Sequence, residues 1–145
     1  MKHCLIRLLS GAFVLFCILG QVEAMGKKTE KCCKLVEGKA PVISVSTAHQ
    51  LWQGKKAVFV DALPADWYSK GHVPGAVNIP ASDPESAMKH LEGVAKDAII
   101  ISYCAHKECH AGETVADYLI SQGYTQVYDF KGGIKAWKDS GLPVE

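Results

Sequence analysis

Short apolar runs and amphipathic stretches alternate along the chain. Residues 57–60, the run from Ala98 through Ile101, and residues 127–130 are apolar and rich in β-branched and aromatic side chains. Runs of that length bounded by polar residues predict strands buried on both faces. Residues 41–45 and 77–79 predict two shorter strands. Over residues 113–122, Val115, Ala116, Leu119 and Ile120 fall on one helical face, and Gly123 follows as the residue past a helix end. Further helices are predicted from a Ser46 or Thr47 cap through Trp52, closed by Gly54, over 63–68 with Pro64 near the start, over 83–96 with Pro84 in the first turn, and from Gly132 onward. Residues 71–76 are a turn-rich link. Strands alternating with helices predict an α/β fold, with a parallel sheet covered on both faces.

The longest apolar run gives way to a polar loop, Cys104-Ala105-His106-Lys107-Glu108-Cys109-His110, before the 113–122 helix. Cys104 therefore stands at the carboxyl end of a strand and faces a helix N-terminus, where open α/β sheets hold ligands. Inward backbone N–H groups and the positive end of the helix dipole favour an anion there. A thiol in that place is expected to ionise more easily than free cysteine.

The first 24 residues differ from the rest. Lys2, His3 and Arg7 precede an apolar run from Leu8 to Leu19, and Val22-Glu23-Ala24 supplies small residues for cleavage. This is the pattern of an export signal, removed after Ala24, and places the mature chain in a periplasm or outside the cell. Residues 25–40 read as a flexible leader, carrying Cys32 and Cys33, to a domain spanning 41–145. Removing Lys2 and Arg7 from 16 basic residues, and Glu23 from 15 acidic ones, leaves a formally neutral chain. That charge balance indicates no nucleic-acid partner and no membrane partner after cleavage. Arg7 is the sole arginine, so an anion must be held by lysine, histidine or backbone N–H. The same lack speaks against a cysteine phosphatase, whose loop needs an arginine to grip phosphate. Cys32, Cys33, Cys104 and Cys109 remain after cleavage, in a compartment where disulfides persist.

Three segments in order resemble the rhodanese family. These are Asp61 followed by Gly71-His72-Val73-Pro74-Gly75-Ala76-Val77-Asn78-Ile79-Pro80, then Tyr103-Cys104 with its loop and helix, then Gly132-Gly133-Ile134-Lys135-Ala136-Trp137. The resemblance covers about residues 42–143. It implies a five-stranded parallel α/β domain, and a sulfurtransferase that carries sulfur as a persulfide on Cys104. The donor would be a small molecule such as thiosulfate, and the acceptor cyanide or a thiol. The chain departs from the family where Asp61-Ala62-Leu63 stands in place of Asp-x-Arg, and in a longer, histidine-containing loop.

Under this reading Ala105, His106, Lys107, Glu108 and His110 line the substrate site, through inward N–H groups and positive charge. Asp61, His72, Gly132, Gly133 and Trp137 serve the scaffold. No cofactor or metal is called for. A second reading makes Cys104 and Cys109 a redox pair served by a thiol-redox protein, with Cys109 resolving a persulfide or sulfenic acid on Cys104. A third takes the two cysteines and two histidines as a haem or zinc site, or the domain as a partner-binding module.

Overall fold

The computed structural model describes residues 38–145. The expected export signal at 1–24 and the leader up to residue 37, with Cys32 and Cys33, lie outside the described residues. The elements run α1 (Val45–Gln53), β1 (Ala57–Asp61), α2 (Ala65–Tyr68), β2 (Val77–Asn78), β3 (Ile99–Tyr103), α3 (Ala111–Ser121), β4 (Gln126–Phe130) and α4 (Gly133–Asp139). The sheet is parallel throughout, in the order β2-β1-β3-β4.

β3 lies at the centre, with Ile100 paired to Val58 on one side and Val127 on the other. Successive strand residues face opposite sides of a sheet. Val60, Ile100 and Val127 accordingly join Val115, Ala116 and Leu119 of α3 in one core. Phe59, Ile101, Tyr103 and Phe130 join Ala48 of α1 and Trp137 of α4 in another. Both faces are thus covered, which is why the strands read as apolar runs rather than as alternating patterns. Among the described residues no helix is long and apolar enough to cross a membrane.

Four expectations are corrected. Among the described residues the sheet has four strands rather than five, because the segment at 41–45 makes only a single parallel bridge, Val42 to Asp129. Pro41 has no N–H to give, and Ser44 already caps α1, so too few residues remain to run a ladder. Ser44, not Ser46 or Thr47, is that cap, accepting the Thr47 amide at 3.2 Å. The predicted helix over 83–96 is instead a series of turns around a short 3-10 segment, Met88–Leu91. Asp83 turns its carboxylate onto the Ser86 amide, and Gly93 takes a left-handed φ of 80°. Local side-chain bonds of this kind compete with helix growth, and few apolar positions oppose them. Finally, α3 starts at Ala111 rather than Glu113, so His110 stands just before its first turn without a capping side-chain bond, and the cysteine loop is shorter than predicted.

Candidate active site

The site is built where β3 ends. Tyr103, the last residue of the strand, is fully buried, and its hydroxyl accepts the Val73 amide at 3.0 Å. Ser102, also fully buried, donates to the Gly112 carbonyl at 2.9 Å, tying the strand to the first turn of α3. Gly112 has no room for a side chain, since a Cβ there would stand 3.1 Å from the Tyr103 backbone. These contacts bring the N-terminus of α3 down onto the end of β3.

The loop is held from the opposite side by α4. The Ile134 amide donates to the Cys104 carbonyl at 2.8 Å, and the Lys135 amide to the Ala105 carbonyl at 2.9 Å. Gly133 makes this approach possible. Its φ is +63°, and a Cβ there would lie 2.4 Å from the Cys104 carbonyl oxygen. The Gly132-Gly133 pair therefore clamps the loop backbone, and its scaffold role has a concrete target.

Cys104 is 3% exposed. Its Sγ donates to the Cys109 carbonyl oxygen at 3.3 Å, and the Cys109 side chain packs against the same core cluster. Burial, followed by the influence of the nearby Cys109 thiol, pushes the Cys104 thiol up to about 12, although the amides of Gly112 and His106 oppose the shift. The expectation of an easily ionised Cys104 is therefore not met, because desolvation outweighs the amides. Cys109 moves the other way. Burial raises it, but the Cys104 S–H, the Ala105 and Ala111 amides and the nearby Lys131 together bring it below the ordinary thiol value. Two thiols that shift each other's ionisation titrate as a pair: the first proton leaves easily and the second with difficulty. Both cysteines are free thiols.

The remaining predicted residues divide. Ala105 lies against the clamp, and its amide faces Cys109. His106 contributes its backbone, but its ring pairs with Glu108 at 3.1 Å. The His110 ring pairs with Glu113 at 3.3 Å. Lys107 and Glu108 are exposed on the loop surface. Among the described residues no group of three His, Cys, Asp or Glu side chains is placed to hold a metal ion. Lys131, outside the residues the sequence points to, joins the site. It follows β4, pairs with Glu113 at 2.9 Å, and adds positive charge at both sulfurs. Its sole signal in the sequence is its place just before Gly132-Gly133, at the carboxyl end of a strand.

Asp61 and His72 support the turn that meets β3. Asp61 is fully buried; Oδ1 accepts the Leu63 amide at 2.8 Å, whereas Oδ2 has no hydrogen-bond partner among the described residues. Burial pushes its carboxyl above the usual range. The His72 ring stacks on Tyr68, centroids 3.7 Å apart, and lies 3.5 Å from the Glu145 carboxylate. A cavity of about 340 Å³ opens beside the loop at Ala105, walled by Leu63, Trp67 and Ile134 and ringed by Lys70, Lys138 and Lys135, the last paired with Asp139 at 2.6 Å on the same rim.

The rhodanese-like domain model matches residues 44–140. The chain belongs to the rhodanese-like family. Among solved structures, it is similar to a Bacillus halodurans protein at 22% identity and a TM-score of 0.66, covering 73% of this chain and 77% of that one. It is similar to the rhodanese-like domain of an Anabaena protein at 25% identity and a TM-score of 0.62, over 72% and 78% of the two chains. It also matches a thiosulfate sulfurtransferase from Pseudomonas aeruginosa at 21% identity and a TM-score of 0.60, over 73% of this chain but 20% of that one.

Proposed function

We propose that the protein is a sulfurtransferase that carries a sulfane sulfur on Cys104. The observation that carries this reading is the seating of Cys104 between the first amides of α3 and the clamp from α4, in a chain of the rhodanese-like family. The donor is a small sulfur-bearing anion such as thiosulfate, and the acceptor is cyanide or a thiol. The cavity at Ala105, where Lys70 and Lys138 add to the Lys135–Asp139 pair and leave a net positive rim, provides the approach for that anion.

The reactive form of the sulfur pair is the one that has lost a single proton; the proton that remains favours Cys104, because burial raises its thiol while the neighbouring amides and Lys131 lower that of Cys109. When the donor arrives, the Cys109 thiolate takes that proton as general base. The Cys104 sulfur then attacks the outer sulfur of thiosulfate, the S–S bond breaks, and sulfite leaves with the electron pair. The persulfide anion is stabilised by the His106 and Gly112 amides, which already face the sulfur. Export to a periplasm or beyond is part of the same proposal and rests on the pattern of residues 1–24.

Thiocyanate formation from thiosulfate and cyanide tests the assignment. The wild-type chain is expected to form it and Cys104→Ser to form none above background, with both folded by circular dichroism. Equal rates in the two proteins would refute the role of Cys104.

A further inference from the structure

At the end of β3 the structure brings two cysteines together. The Cys109 side chain packs against the core cluster that contains Cys104. Its carbonyl is 3.3 Å from the Cys104 sulfur, and the two thiols are near enough to shift each other's ionisation. Cys104 is buried, whereas Cys109 is partly open to solvent. The amides of Ala105 and Ala111 and the Lys131 ammonium surround Cys109 and favour its thiolate. A persulfide formed on Cys104 would therefore lie beside a second nucleophile held in the same loop.

We infer that Cys109 resolves the Cys104 persulfide, releasing hydrosulfide and leaving a Cys104–Cys109 disulfide that an external dithiol reduces. The inference rests on the persulfide reading above and specifies the fate of the sulfur when no acceptor is present. The Cys109 sulfur attacks Cys104 Sγ, the bond from Sγ to the outer sulfur breaks, and the outer sulfur leaves with the electron pair. The proton that Cys109 took from Cys104 departs on the leaving sulfur. Overall, one thiol, one thiolate and thiosulfate become one disulfide, sulfite and hydrosulfide, with charge and hydrogen conserved. A dithiol reductant then returns both cysteines to the starting state by exchange.

The sequence offers a direct assay, because Lys107 lies between the two cysteines and trypsin separates them. The full chain, reduced and kept free of oxygen, is mixed with thiosulfate and no acceptor. Sulfite and hydrosulfide are measured, free thiols are alkylated, and the digest is analysed by mass. Wild type is expected to release hydrosulfide in step with sulfite, and fragments 97–107 and 108–131 to run as one species that reduction splits. Cys109→Ser, which also lacks the base, is expected to release sulfite more slowly, to keep the added sulfur on 97–107, and to release at least about tenfold less hydrosulfide for each sulfite formed. Sulfite release from wild type with the extra sulfur retained on either fragment, and no joined species, overturns the inference and leaves the sulfurtransferase reading standing. Absence of sulfite from wild type overturns that reading, and the inference with it. If Cys109→Ser does not fold, the wild-type products decide alone.

Discussion

The two faces of the sheet are built from different materials, and they treat Cys104 differently. The α3 face is aliphatic, from Val60, Ile79, Ile100, Val115, Leu119 and Val127, and the Cys104 side chain belongs to it. The opposite face is aromatic. Trp137 meets Phe59, Phe130 and Trp52 edge-on at centroid distances of 5.9, 6.3 and 5.7 Å. Its polar atoms are used for position: the Trp137 ring N–H donates to Pro143 at 2.7 Å, and that of Trp52 to Pro74 at 2.9 Å. From this face α4 reaches over to bind the Cys104 carbonyl. One side thus supplies a dry environment that resists ionisation, and the other holds the backbone still. The comparison teaches that the cysteine's protonation and its placement are set by separate cores.

The strongest way to break the aromatic side is Trp137→Ala. Removing the largest fully buried side chain is expected to cost about 3–5 kcal/mol in a denaturant titration. Gly133→Ala sharpens the comparison by striking the clamp alone. A Cβ at a φ of +63° and 2.4 Å from the Cys104 carbonyl oxygen forces the loop to shift. Stability should fall by about 1–3 kcal/mol, while sulfur transfer falls further than the folded fraction accounts for. A variant with full turnover would show that the clamp does not position the loop.

The smallest effect is expected on the α3 side, from Glu113→Gln. Lys131, His110 and Lys39 hold the Glu113 carboxyl well below its ordinary 4.5, at about 2. A depressed carboxyl contributes stability above its unfolded value, and that contribution is lost as pH falls from about 4.5 through about 2. The group is partly exposed, so water and salt screen it and the loss at neutral pH should not exceed about 1 kcal/mol. The gap between wild type and variant should close toward pH 2 in acid-unfolding curves. A gap unchanged across that range would mean that the ion pairs contribute nothing.

Much of this molecule is legible from neighbouring residues. β1, β3 and β4 follow from apolar β-branched runs, since a strand covered on both faces needs no polar alternation. The α3 face follows from Val115, Ala116 and Leu119, all fully buried, and Gly123 has the positive φ of a residue past a helix end. Cys104 at a strand end is legible for the same reason. Residues 83–96 are not, because the pattern permits a helix while the Asp83 turn and a left-handed Gly93 stop it.

What the amino-acid order alone determined is the strand–loop–helix frame and the cysteine at its joint, because both depend on residues close together in the chain. What only the tertiary structure decided is which sulfur is acidic. That depends on burial by α3, on the nearness of two side chains across the loop, and on Lys131 arriving from the end of β4. Such fields are sums over groups distant in sequence, and no local pattern contains them.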